Sequence, residues 1–334
     1  MRFKNIFFAA AAAMALTACS SDDEQQSFVS QFPEDGVMRF TTNLVDPTSA
    51  QTRASITGND LNQTGQQFQV KVVNNASATY SYFSNVQYNG TYWSPATRML
   101  WQNNEQTITV TAAYKQGKEF TNNEFIGGAD LTVATDQSDQ GKLNQHDLLT
   151  MPTKNVNPQI DLVGGKIAIN FYHALTKLDV TLTLADEFYK AEPKLNNASD
   201  ITEFTIKGTN AGYNFLPTQT ADENYGTVTV TAFTAADILA YQSTFTAATD
   251  DNKNSTAKYE SIIVPQTIAA GQLTISFKIG NRSFSWTNTQ AYTLEQGKQY
   301  TLPLTVGYNT VTTSATAFTA SYWENGTGGN LVTE

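Results

Sequence analysis

The sequence predicts an all-β protein built as two β-sandwiches in tandem, and three observations carry that expectation. Along most of the chain, short segments alternate apolar and polar residues and are punctuated by Gly- and Asn-containing turns, the period-2 signature of half-buried strands. Hydrophobic residues make up 40% of the chain and charged residues 15%, against about 25% charged in an average globular protein. That is enough apolar material for packed cores and excludes global disorder. The length, 334 residues, is about two domains' worth at ~150 residues each, and two ordinary sandwiches fill it more easily than one large one.

The same composition excludes several functions. Two His (His146, His173) and one Cys (Cys19) are too few for a disulfide scaffold, a Cys-rich zinc site or most His-based metal sites. With 20 Lys+Arg against 30 Asp+Glu, the acidic chain has nothing to neutralise a run of phosphates, so no nucleic-acid partner is expected.

The N-terminal segment predicts an export signal. Arg2 and Lys4 precede an unbroken apolar run from Ile6 to Leu16, too short for the roughly 20 residues of a membrane-spanning helix but suited to a signal peptide. Leu16-Thr17-Ala18-Cys19 then resembles the lipobox of bacterial lipoproteins, and the chain's one Cys falls there. The resemblance implies removal of residues 1–18 and acylation of Cys19, palmitate included. Several acyl chains would hold the protein to the outer membrane, since each buried CH2 is worth about 0.8 kcal/mol. Ser20–Glu24 is either the surface-export signal of Bacteroidetes lipoproteins, which it looks like, or a solvated tether. Residues 19–36 hold no periodic pattern and read as that tether.

The strands follow in order. In Val37–Leu44, Met38, Phe40, Thr42 and Leu44 share one face. Asp46–Arg53 is a polar loop. Phe68–Val73, a Val86–Trp93 hairpin turning at Asn89-Gly90 and Thr107–Ala113 come next. Gly127-Gly128 and Asp136–Gly141 break the chain. Ile167–Phe171 and Leu178–Leu184 alternate cleanly, and the domain boundary is expected near Tyr172–Lys177, dividing residues 37–174 from 175–334. Phe204–Lys207, Gly226–Phe233, Tyr259–Val264, Leu273–Ile279, Ser283–Trp286, Tyr300–Val306 and Thr316–Trp323 read as later strands. Phe233–Phe245 is the best helix candidate, with Thr234 as cap and Ala235, Ile238, Leu239 and Tyr241 as its apolar stripe.

Candidate chemistry is sparse. His146-Asp147 is a neighbour pair whose side chains diverge on a strand, and no G-x-S-x-G motif accompanies it. His173 reads as a packed core residue. Asp136–Gly141 loosely evokes a calcium loop but lacks its closing Glu, and Asp250-Asp251-Asn252 reads as a plain loop. No catalytic residue, metal site or cofactor is expected. Trp93, Trp101, Trp286 and Trp323 either pack in cores or form a sugar-stacking platform; the second alternative would make the protein a monomeric surface glycan-binding lipoprotein. Arg53 ends the polar loop in a chain with five Arg, and an exposed segment with one basic residue is what a trypsin-like protease cuts.

Several ordered motifs resemble the fimbrillin-A family, the protease-assembled pilins of Bacteroidetes. Thr52-Arg53-Ala54 follows the first strand, and Asn89-Gly90-Thr91-Tyr92-Trp93 resembles the family's NG-x-W hairpin. His146-Asp147-Leu148-Leu149 looks like its DLL segment, and Phe171-Tyr172-His173-Ala174-Leu175-Thr176-Lys177-Leu178 like its F-x-HALSKI segment. Ile263–Ile268 is similar to VVPQTI, and Glu295-Gln296-Gly297-Lys298-Gln299-Tyr300 to E-x-GK-x-Y. The resemblance implies two transthyretin-like sandwiches and a cell-surface fimbrial subunit or tip adhesin without catalytic activity, with ligands on host or bacterial surfaces. It implies cleavage between Arg53 and Ala54, which removes the first strand with its plugs Met38, Phe40 and Leu44. Another pilin subunit's strand then fills the groove by β-strand addition. Phe318, Ala320 and Tyr322 mark either a donor strand or the last strand of the second domain.

Overall fold

The computed structural model describes residues 31–45, 61, 63–116, 130–217, 226–231, 235–313 and 318–323. The described residues are all-β, as the alternation predicts. In the first half the strands are β1 (Phe40–Leu44), β2 (Gln67–Val73), β3 (Tyr82–Tyr88), β4 (Trp93–Pro95), β5 (Ile108–Lys115), β6 (Asp130–Thr132), β7 (Leu148–Val156) and β8 (Ile167–His173). All but β6 join one seven-stranded sheet in the order β1-β8-β7-β5-β2-β3-β4. The β3–β4 hairpin turns where the sequence places it, with Gly90 at φ +99°, a left-handed conformation that glycine alone adopts at no steric cost.

One apolar core belongs to this sheet. Phe68 is its centre, fully buried, with ring centroids of Trp93 at 4.9 Å, Phe171 at 5.6 Å and Phe40 at 6.3 Å, all edge-on. That is the offset geometry aromatic quadrupoles favour.

The second half contributes β9 (Thr176–Leu184), β10 (Ile201–Asn210), β11 (Gly212–Leu216), β12 (Thr227–Val230), β13 (Ala235–Leu239), β14 (Tyr241–Thr246) and β15 (Thr256–Ile263). It continues with β16 (Gln266–Ile268), β17 (Thr274–Ile279), β18 (Arg282–Thr287), β19 (Tyr292–Leu294), β20 (Lys298–Val306), β21 (Val311–Thr313) and β22 (Thr319–Tyr322). A six-stranded sheet β14-β15-β9-β20-β21, with β22 also on β20, and a four-stranded sheet β13-β10-β17-β18 supply a second core rich in Leu, Ile and Phe. The described residues form one compact unit. Phe171 lies in the first core and Ala174 in the second, and β6, from the first half, pairs with β11 from the second.

The expected helix over Phe233–Phe245 is not formed: its described residues make β13 and β14. Ala236 and Ile238 are buried while Ala235, Asp237 and Leu239 are exposed, and Ile238 pairs with Ile206 of β10. The helix-forming run Ala-Ala-Asp-Ile-Leu-Ala yields to a core that takes every second side chain, an override of local propensity by packing. Conversely, Asp136–Gly141, read as a break, leads into a short helix α1 (Gln140–Gln145). Asp139 caps it, its Oδ1 accepting from Lys142 N–H at 2.8 Å.

The six-stranded sheet buries a charge network that the alternation pattern does not reveal. Lys177 is fully buried and its ammonium lies 2.8 Å from Glu260 and 3.6 Å from Asp179. Lys258 reaches Asp179 at 2.7 Å and Glu260 at 3.1 Å, and Gln299 donates to Asp179 at 2.7 Å. Burial pushes the Asp179 carboxyl up against the pull of Lys177. At Glu260 burial acts in the same sense, but the ammonium groups of Lys177 and Lys258 outweigh it and hold the carboxyl below its usual range. Two cations and two carboxylates balance, so removing one member leaves an uncompensated buried charge. Lys177→Met is expected to destabilise the chain by about 3–5 kcal/mol, read as a lowered midpoint in denaturant unfolding. An unchanged midpoint would mean that breaking the network leaves no uncompensated charge.

Candidate functional site

The first strand sits at one end of the seven-stranded sheet. β1 is the edge strand of the seven-stranded sheet and pairs parallel with β8 alone, Phe40 opposite Ile167 through Leu44 opposite Phe171. The hydrogen bonds at its two ends run from Ile167 N–H to the Arg39 carbonyl and from Val45 N–H to the Phe171 carbonyl, both at 2.8 Å. Without β1, the β8 edge would present unpaired backbone donors and acceptors.

The face that β1 turns inward agrees with the alternation. Met38 and Phe40 are buried, and Leu44 is half-buried and packs against the first core. Thr42, on the same face, is also buried, and its Oγ1 accepts the indole N–H of Trp93 at 2.9 Å. Period-2 reasoning places Thr42 on this face but gives it no role; the missing signal is the tryptophan of β4, at the opposite end of the sheet order. β1 and β4 are therefore brought together although they are the two terminal strands. Just before β1, Met38 N–H donates to the Met99 carbonyl at 3.0 Å and Trp101 N–H to the Gly36 carbonyl at 2.9 Å. Between the segment just before β1 and β4 lies a cavity of about 250 Å³, lined by Val37, Met38, Arg39, Tyr92, Trp93 and Arg98 among others. At its rim Arg39 makes a two-pronged contact with Asp35, at 2.7 and 3.0 Å. The guanidinium hydrogen bonds hold that carboxyl far below the usual carboxylate range.

Cys19, Arg53 and Ala54 lie outside the described residues. The C-terminal candidates are described in part. β22 pairs antiparallel with β20, Tyr322 opposite Lys298 and Ala320 opposite Tyr300. Phe318 is half-buried, its ring 4.3 Å from Tyr292 and 6.3 Å from Trp286. Ala320 is exposed. Trp323 ends the described chain, buried, and stacks on His173 at 4.1 Å with planes 6° apart.

The other polar candidates resolve into structural contacts. Asp147 does not work with its neighbour His146; its Oδ1 lies 2.9 Å from Nδ1 of His173, both are buried, and Trp323 stacks on the His173 ring. Closed off in this way, the pair offers a substrate no access. In Asp136–Gly141 the Lys142 ammonium occupies the carboxylate face, 2.7 Å from Asp136, and its hydrogen bond pulls that carboxyl down to about 2. Among the described residues no group of three or more His, Cys, Asp or Glu could hold a metal ion. Asp250 pairs with Lys253 at 2.9 Å. All four Trp are buried, so they build cores rather than a sugar-stacking platform. Among the described residues no helix is long and apolar enough to cross a membrane.

The sequence model of the fimbrillin-like family matches residues 52–323, and the chain belongs to that family. The family is one of fimbrial, non-enzymatic proteins. Among solved structures the chain is similar to a candidate cell adhesion protein from Bacteroides uniformis, at 16% identity and TM-score 0.56, covering 87% of this chain and 100% of that one. It is also similar to one from Bacteroides ovatus, at 16% identity and TM-score 0.53, covering 87% of this chain and 97% of that one. At that identity the likeness shows a shared fold. No curated protein matches.

His146 ends α1, and its Nδ1 accepts from Ala134 N–H at 3.4 Å. Burial, reinforced by the Lys115 charge, pulls its pKa from 6.5 down to about 4. The unfolded chain therefore takes up a proton in that window which the folded chain refuses, so stability falls as pH drops from 6.5 to about 4. His146→Gln is expected to give a shallower fall in unfolding midpoint over the same window, and a profile as steep as that of the parent would contradict the assignment.

Proposed function

We propose, from its membership of the fimbrillin-like family, that this protein is a cell-surface fimbrial subunit or a pilus tip or accessory adhesin, assembled by strand replacement at the β8 edge. The observation that carries the reading is β1 itself. It is an edge strand whose backbone pairs with β8 alone, it fills the first core with Phe40 while Met38 just ahead of it does the same, and a segment bearing Arg53 comes after it in sequence. Cleavage after Arg53 would free the strand from the remainder of the chain. Its loss would open both an unpaired sheet edge and the apolar slots that β-strand addition needs. Restoring them with another subunit's strand would bury the same surface again.

Two separate cores support reading the chain as two sandwich units, 37–174 and 175–334, although Ala113, Val133, Leu143 and Leu148 of the first half pack into the second core. At the far end, the pairing of β22 with β20 supports a last strand that stays within its own unit. A chain that accepts a strand and keeps its own suits a tip or accessory position better than the shaft. The lipobox-like Leu16–Cys19 supports export as a lipoprotein anchored to the outer membrane through Cys19. Adhesion to host or bacterial surface ligands completes the reading.

Two substitutions test it. Arg53→Ala is expected to leave the precursor uncut by an arginine-specific protease and to abolish its incorporation into fimbriae; normal incorporation of the variant would refute strand replacement. Cys19→Ser is expected to shift the protein from the detergent phase to the aqueous phase on partitioning, and unchanged partitioning would refute lipidation.

A further inference from the structure

We infer that the strand taking the place of β1 binds best when it carries a Ser or Thr hydroxyl two residues after its aromatic plug, and that the C-terminal strand of a second copy of this chain is not that donor. This rests on the strand-replacement reading above and adds to it a rule for the partner.

The rule comes from Trp93. Its indole nitrogen is a donor and nothing else, the residue is 2% exposed, and the indole N–H donates to the Thr42 hydroxyl at 2.9 Å. Thr42 belongs to the strand that would leave, whereas Trp93 lies on β4 and would stay. After removal the indole N–H faces the groove from the side opposite β8. A donor that restores only the apolar plugs buries this N–H without an acceptor. A buried donor left unsatisfied costs more than an ordinary hydrogen bond gains, a cost this fold carries at the indole N–H groups of Trp101 and Trp323, so the hydroxyl is a preference of the groove. The groove therefore reads four alternate positions: apolar at Met38, aromatic at Phe40 against Phe68, a hydroxyl at Thr42, and apolar at Leu44. Direction is fixed as well, since β1 runs parallel to β8.

This chain's own C-terminal segment does not meet the rule. Aligning Phe318 with Phe40 puts Thr316 at the Met38 position, Ala320 at the hydroxyl position and Tyr322 at the Leu44 position. Aligning Thr319 with Thr42 puts Ala317 in the aromatic slot and Ser321 at the Leu44 position. Between Val311 and Trp323 no hydroxyl residue follows an aromatic one by two. β22 is besides already paired with β20.

The test uses the full-length chain nicked after Arg53, with displacement of a labelled peptide of residues 37–45 as the readout. Four unlabelled competitors are compared: that peptide, its Thr42→Val form, a peptide of residues 316–322, and its Ala320→Thr form. Thr42→Val keeps shape and loses the acceptor, so it is expected to bind roughly tenfold or more weakly. Ala320→Thr is expected to improve the C-terminal peptide by a similar factor. In a nicked Trp93→Phe chain, which has no indole N–H, both differences should vanish. Equal binding of the 37–45 peptide and its Thr42→Val form to the parent chain would overturn the hydroxyl rule while leaving strand replacement standing. Failure of the 37–45 peptide itself to displace the label would overturn both.

Discussion

The first half of this protein depends on one constraint: a seven-stranded sheet must cover its last paired edge. β8 has β7 on one side, and on the other only the five residues of β1 keep its backbone groups from being left open. The same five residues carry a ring into the aromatic cluster around Phe68 and a hydroxyl to Trp93. Backbone pairing, apolar filling and polar satisfaction thus converge on a strand whose backbone pairs with a single neighbour. A segment with that much to cover and so few backbone partners is well suited to be exchanged, because whatever replaces it recovers all three contributions at once.

The second half closes its edge differently. β20 lies at the margin of the six-stranded sheet, and two separate segments, β21 and β22, cover successive stretches of it. Just past β22, Trp323 anchors the chain by stacking on His173, which is itself fixed by Asp147. The last described residue is therefore tied to the segment where the chain passes from the first core to the second. The sheet is pinned internally by Lys177, Asp179, Lys258 and Glu260, whose mutual compensation needs β9 and β15 in register, with Gln299 of β20 completing the set.

Most of the architecture is legible in the sequence because half-buried strands write their burial into every second residue. The inward face of Val37–Leu44, the Asn89-Gly90 hairpin, and the strands at Ile167, Leu178 and Leu273 all come from alternation and turn chemistry. The failures have physical causes. Ala235–Leu239 has helical composition, and only the neighbouring β10 decides in favour of a strand. Thr42 looks like any strand threonine until Trp93 arrives from 51 residues away. His173 is legible as a core residue, but its partners Asp147 and Trp323 lie too far off in sequence for local pattern to pair them. Lys177 and Asp179 break the apolar run of a buried strand, a visible anomaly whose explanation lies on two other strands. Pairings between distant residues are what a periodic reading leaves out, and here they hold the polar features of the site.

The most direct measurement of the central claim is amide hydrogen exchange in β8, compared between the intact chain and the chain after removal of residues up to Arg53. If β1 alone guards that edge, the Ile167 amide, which donates to Arg39 in the intact chain, loses protection when the segment is removed and regains it when a partner strand is added. Protection at Ile167 that is the same with and without β1 would contradict the account.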